Sequence, residues 1–186
     1  MAGRVPALLL ALVAVDGCLA DPPAWSDGSG IGPGRGPYAT LATCGLPGPC
    51  DLSCAQKATG APDGQSVDMA GCQSLQLTFT DGTLRPVIKE PDLAVHLTGV
   101  GGATRILASK DGNTEFKAIG FVGGSFPLLP PDCEAKAQGN QLLIYIDRCG
   151  YLDDISVIRL ERDTTISGAL QVDAIEALSY KPMGPP

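Results

Sequence analysis

The stretch Asp92-Leu93-Ala94-Val95-His96-Leu97-Thr98 decides the fold. In an extended backbone Leu93, Val95 and Leu97 fall on one side, and Ala94, His96 and Thr98 on the other. A repeat of two is the spacing of a strand with one apolar face. Upstream, Ser74-Leu75-Gln76-Leu77-Thr78-Phe79 repeats the pattern through Leu75, Leu77 and Phe79. Downstream, Gln141 to Asp147 and Asp154 to Leu160 are further runs of β-forming residues.

Working outward, turn signals separate the runs. Asp81-Gly82 follows the Ser74 run, and Gly99-Val100-Gly101-Gly102 follows the Asp92 run. Thr104 to Ser109, then Asp111-Gly112, then Glu115 to Val122 reads as a hairpin. Pro127 to Pro131 excludes a central strand and predicts a loop. Gln141 to Asp147 is so continuously apolar that it predicts a strand buried on both faces. With Ile155 to Leu160 and Leu170 to Leu178 the set reaches roughly seven or eight strands, the pattern of a sandwich. The expectation is an all-β fold, an antiparallel β-sandwich.

Composition narrows the function classes. Aromatics make up only 5% of the chain, so Leu, Ile, Val and Ala must build the core. The net charge is −7 and no run of Lys and Arg occurs, which argues against nucleic acid as a partner. Much of the Gly and Pro sits before residue 65, separating a loose N-terminal part from a packed remainder.

Met1 to Ala20 reads as an export signal, with Arg4 ahead of the apolar run Val5 to Val15 and small residues behind it. That run is too short to span a bilayer, which takes roughly 20 apolar residues. Any contact with membrane would therefore be through a lipid anchor. Val15-Asp16-Gly17-Cys18 resembles the lipobox of bacterial lipoproteins, which implies lipidation of Cys18 and cleavage before it. Val15, Gly17 and Cys18 fit, while Asp16 stands where a small neutral residue is usual. The competing reading is cleavage after Ala20, with Cys18 lost in the leader. Residues 21–43 then read as a flexible Gly/Pro-rich linker, and 44–180 as the sandwich domain with a cysteine-rich lead-in.

The chain holds seven cysteines, an odd number for an exported protein. Removing Cys18 by either route leaves Cys44, Cys50, Cys54, Cys72, Cys133 and Cys149, an even set. The spacing Cys44-x5-Cys50-x3-Cys54 lacks the paired C-x2-C of common zinc sites, so disulfides are expected instead. Cys133 and Cys149 flank one loop-strand unit and are expected to pair with each other. The four N-terminal cysteines are expected to pair among themselves.

The motifs Gly60-Ala61-Pro62-Asp63-Gly64, Ser74 to Phe79, Asp92 to His96, Ser109-Lys110-Asp111-Gly112 and Val172-Asp173-Ala174-Ile175-Glu176-Ala177-Leu178 follow one another in order. Over about residues 58–178 the chain resembles a group of exported bacterial proteins with a galactose-binding-like (discoidin-like) jelly-roll domain. The resemblance implies binding of carbohydrate or protein surfaces through loops at one end, often with a structural calcium. The cysteine-rich lead-in and the Cys133/Cys149 pair stand outside that pattern.

A calcium site would draw on Asp63 in the first loop and Asp173 or Glu176 in the closing strand, because first and last strands are neighbours in a jelly roll. The alternative is that Asp63 only stabilises a Pro-Asp-Gly turn. His96 is the single histidine and has no nucleophile motif around it, so a catalytic triad is not expected. The acid pairs Asp153-Asp154 and Glu161-x-Asp163 read as solvated turns. The expectation is a non-catalytic module outside the cytoplasm, lipid-anchored in the cell envelope or secreted. Its partner would be a cell-surface glycan, met by the end loops Gly99–Gly102 and Phe121–Pro131, or another envelope protein. Phe121, Phe126, Tyr151 and Trp25 are the aromatics available for stacking on a sugar.

Overall fold

The computed structural model describes residues 37–45, 52–113, 115–123 and 132–183. The leader with Cys18, Trp25, Cys50, Phe126 and the Pro127–Pro131 segment lie outside the described residues. The anticipated central strand is β5 (Leu93–Gly99), taking its label from its place among the strands in chain order. Leu93, Val95 and Leu97 enter the core, and all three are at most 4% exposed. On one side β5 pairs with β11 (Gln171–Ala177) and on the other with β9 (Gln141–Ile144). The sheet is completed by β2 (Val67–Asp68) outside β11 and β8 (Lys136–Gln138) outside β9.

The second sheet runs β1 (Leu41–Gly45), β3 (Ser74–Thr78), β10 (Val157–Arg162), β6 (Thr104–Ser109) and β7 (Lys117–Val122). Every pairing in both sheets is antiparallel. Taken in chain order, β2, β3, β5, β6, β7, β9, β10 and β11 lie first-eighth-third-sixth in one sheet and second-seventh-fourth-fifth in the other. That order is a jelly roll, two Greek keys folded face to face. A small third ribbon joins β4 (Gly82–Leu84) to β12 (Tyr180–Pro182).

The core lies between the sheets. Leu75, Leu77, Ile106, Ile158 and Leu160 descend from one, and Val95, Leu142, Ile144, Val172 and Ile175 rise from the other. Phe79 and Met69 are its largest fully buried side chains. Each such side chain contributes about 1.5–3 kcal/mol by leaving water. With so few aromatics, branched aliphatics fill the space, as the composition requires.

Two boundaries differ from the sequence reading. Residues 37–43, assigned to the linker, belong to the sandwich. The N–H of Ala39 donates to Ile175 O at 3.0 Å and that of Ala177 to Pro37 O, so Pro37–Ala39 extends along β11. The chain then crosses to the other sheet as β1, beside β3, with Ala39 and Ala42 fully buried. This segment therefore closes one flank of the sandwich. Gly and Pro on either side of it hide a short strand whose partners are distant in sequence.

The run Gln141–Asp147 is not one strand buried on both faces. Leu142 and Ile144 point into the core, while Gln141 and Leu143 are half-buried on the other face. The chain then leaves the sheet in a 3-10 turn, Ile146–Cys149. Two contacts drive the change. The N–H of Ile146 donates to Asp92 Oδ2 at 2.9 Å, and Cys149 is drawn to Cys133. Gly150, at φ 69°, ends the turn in the left-handed region open to glycine.

Cys133 and Cys149 form the expected disulfide. A second joins Cys44 in β1 to Cys72 just before β3, resolving one pairing among the N-terminal cysteines. Two disulfides belong to an oxidising compartment. Among the described residues, no helix is long and apolar enough to cross a membrane.

Candidate functional site

At one end of the sandwich, the edge strands β7 and β8 flank a groove of about 450 Å³. Buried Leu97 and Leu142 line its depth, and Phe121 and Val122 form the wall contributed by β7. Glu134 and Lys136, of opposite charge, are exposed along the β8 side. Val100 overhangs the groove and is 70% exposed, the most exposed large apolar side chain among the described residues. The Ala135 N–H donates to Phe121 O at 3.4 Å, and this holds the two sides together above the Cys133–Cys149 bridge.

Three glycines meet beside the groove. Gly102, Gly123 and Gly168 have φ of 68°, 63° and 89°. A Cβ on Gly123 would lie 2.3 Å from Gly102 O, and one on Gly102 would lie 2.4 Å from Gly168 O. The β5–β6, β7–β8 and β10–β11 connections therefore meet backbone to backbone, which only residues lacking Cβ allow. The loop Gly99–Gly102 singled out in the sequence is thus a rigid support of the groove.

Beside the groove, on the face of the β5 sheet turned away from the core, lies a polar cluster. His96 Nε2 is 2.9 Å from Glu176 Oε2, and His96 Nδ1 is 3.3 Å from Gln141 Nε2. The Tyr38 hydroxyl also donates to Glu176; burial above all, and then the charge of Glu176, holds its phenol above the usual tyrosine range. Gln141 belongs to both features, since it also lines the groove. His96, which falls on the less apolar face of its strand, is buried and paired with acid and amide.

The three calcium candidates are placed as follows. Asp63 and Asp173 do meet, but through the backbone of the first loop. The N–H of Asp63 donates to Asp173 Oδ1 at 3.2 Å and that of Gly64 to Asp173 Oδ2 at 3.1 Å. The Asp63 carboxylate turns back on its own loop, accepting the Gln65 N–H at 2.8 Å, which is the turn-stabilising role. Glu176 is held by His96 and Tyr38. Among the described residues, no three His, Cys, Asp or Glu side chains gather where an ion would be held.

Other expectations resolve locally. Tyr151 is 5% exposed and packs in the core, so it offers no face to a sugar; Phe121 does line the groove. Asp154 lies near Arg85, and Glu161 pairs with Arg105 at 2.7 Å and Arg159 at 3.0 Å, so these acids serve as surface ion pairs. Gln141, Lys136 and Tyr38 were not visible as site residues. Their roles come from cross-strand neighbours that no local spacing encodes. Comparison with protein-family models, curated proteins and solved structures gives no match.

Proposed function

We propose that this chain is a non-catalytic binding module that works outside the cytoplasm and takes a cell-surface or cell-wall glycan in the groove between β7 and β8. The groove itself carries the reading. It combines one aromatic wall, Phe121, with apolar depth and a few polar side chains, the make-up of a small-ligand site. The Gly99–Gly102 loop beside it is held by backbone contacts with Gly123 and Gly168 before any ligand arrives, which lowers the ordering cost of binding. A non-catalytic role is supported by His96, whose two ring nitrogens are committed to Glu176 and Gln141 and so have no place for a nucleophile. The leader and Cys18 support export and a lipid anchor in the envelope, with cleavage after Ala20 and secretion as the alternative.

A second reading, a structural envelope protein that binds other proteins without a small ligand, draws on the exposed apolar pair Val87 and Ile88 in the β4–β5 connection. A glycan and cell-wall polysaccharide array, probed with the folded, oxidised protein in calcium and in chelator, separates the two. Saturable binding that Phe121→Ala weakens at least tenfold, with the fold intact, supports the groove reading. Silence from folded protein in both buffers overturns it and favours protein partners.

A further inference from the structure

The Cys133–Cys149 bridge lies against β7, an edge strand of its sheet. Cys149 Sγ is 2.9 Å from Ile119 O, and Cys133 Sγ is 3.7 Å from Ala118 O. The chain after Cys133 follows the same strand. A Cβ on Gly120 would lie 3.6 Å from Cys133 O and 3.7 Å from Ala135 N, and the Ala135 N–H donates to Phe121 O at 3.4 Å. The bridge therefore anchors a run of contacts that pins residues 133–135 to β7. Phe121, Glu134 and Ala135 all line the groove.

The two sulfurs are unequal. Cys133 is 1% exposed, whereas Cys149, at the end of the 3-10 turn, is half-buried. A thiolate arriving from solvent thus has one target, Cys149, and one leaving group, Cys133. In the bridge neither sulfur has a proton to give, so the two carbonyls receive no hydrogen bond from it; as thiols, both could donate, each to its own acceptor. The Cys44–Cys72 bridge lacks this provision. Cys72 Sγ lies 3.2 Å from Ser74 O, but Cys44, inside β1, has no such acceptor among the described residues.

We propose that Cys133–Cys149 is a reversible redox latch on the groove wall, opened by a dithiol and closed again without unfolding. A thiolate of the dithiol attacks Cys149 Sγ, the S–S bond breaks, and Cys133 leaves as a thiolate. Cys133 takes up a proton and donates to Ala118 O. The second thiol of the dithiol then attacks the mixed disulfide and releases Cys149, which donates to Ile119 O. Two electrons and two protons pass to the protein, and the dithiol ends as a disulfide. The covalent tie is gone, so residues 133–135 keep only weak thiol contacts and one long backbone bond to β7. The groove wall loosens while the core, held by the other elements, stays packed. An oxidising compartment keeps the latch shut until such a dithiol reaches it.

The latch rests on the groove reading for its purpose but is tested apart from it. The intact, oxidised protein is equilibrated in buffers of graded reduced and oxidised dithiothreitol, free thiols are alkylated after acid quench, and peptides are mapped. Cys133 and Cys149 should become labelled together at a reductant ratio about tenfold milder than Cys44 and Cys72 require. Circular dichroism should stay native through that step, and oxidation should restore the same pair. Hydrogen exchange at the Ala135 amide should quicken about tenfold as the bridge opens. Opening of Cys44–Cys72 first, loss of the fold with the 133/149 bridge, or an Ala135 amide indifferent to it would each overturn the proposal. The wild-type protein suffices, so a misfolded variant cannot obscure the answer. If the array yields a glycan, its affinity should fall on opening and return on reoxidation. A glycan indifferent to a working latch would sink the groove reading and leave the redox pair standing.

Discussion

Asp173 holds Asp63 by its backbone. The carboxylate of a residue in the closing strand accepts the amides of Asp63 and Gly64, tying the first loop to the last strand of the jelly roll. Both donors lie on an exposed loop, so water can replace the carboxylate in part. Asp173→Ala should cost about 1–3 kcal/mol in urea unfolding, and Asp173→Asn about half of that. Because this carboxylate is occupied by amides, calcium and chelator should leave the melting temperature unchanged. A stabilisation by millimolar calcium would show that the loop rearranges around an ion.

Asp92 gives the clearest dependence on pH. It is fully buried, with Oδ1 accepting the Val87 N–H at 2.6 Å and Oδ2 the Ile146 N–H at 2.9 Å. Burial raises its carboxyl above the usual range, outweighing those hydrogen bonds. The folded state then binds this proton more tightly than the unfolded chain does. Its contribution is complete below the unfolded value, about 3.9, and is lost as pH rises through the folded value. Asp163 has the opposite sign: Thr165 lowers its carboxyl, so its contribution is present above the unfolded value and fades on acidification. Asp92→Asn should be destabilised by about 2 kcal/mol, because its NH2 faces one of two backbone donors. The gap between wild type and variant should narrow as pH rises above the ordinary carboxylate value, because the raised carboxyl of the folded wild type then loses its proton. Unfolding curves at several pH values check this.

The two disulfides should be separable. Peptide mapping without reduction should recover Cys44–Cys72 and Cys133–Cys149. The count of cysteines leaves Cys50 and Cys54 as the expected third pair. Replacing both cysteines of the 133/149 bridge, 16 residues apart, should cost about 3 kcal/mol. The 44/72 bridge closes a longer loop of 28 and should cost slightly more. Equal stability after removing either bridge would contradict this.

Gly102→Ala and Gly64→Ala make a matched pair. Both glycines have positive φ, 68° and 83°, but a Cβ at Gly64 meets nothing within 4 Å, whereas one at Gly102 meets Gly168 O at 2.4 Å. The first loop's variant should lose about 1 kcal/mol, the cost of a left-handed alanine. The Gly102 variant should lose about 2–4 kcal/mol and weaken any groove ligand. Equal losses would mean that the glycine contact gives way freely.

How much of this was legible in the sequence depends on how local each signal is. Strands β3 and β5 and the β6–β7 hairpin announce themselves by alternation and by Asp111-Gly112, within a few residues. The Cys133–Cys149 pairing follows from flanking a single unit. Residues 37–43 did not, because Ala39 and Thr40 are made strand-like by Ile175 and Thr78, which lie far along the chain. The same holds for His96, whose partner Glu176 is 80 positions away. Tyr151 looked available to a ligand and is buried, since the 3-10 turn at Ile146–Cys149 redirects the chain into the core. The groove is a property of two sheet edges, and alternation along either strand says nothing of the gap between them.

The neighbouring of β2 and β11 also sets an order of events in time. Val67 finds Val172 only after nearly the whole domain has been made. Contacts across so long a loop form late, because closure entropy must be overcome before pairing rewards it. A chain emerging N-terminus first can assemble β3, β6, β7 and β10, yet β5 keeps one edge open until residues 171–177 appear. Until then the nascent protein is an incomplete sheet, and a truncation ahead of Gln171 would leave that edge to pair with other chains. Strand β11 is thus the one that decides whether the sheet closes or offers its open edge to another chain.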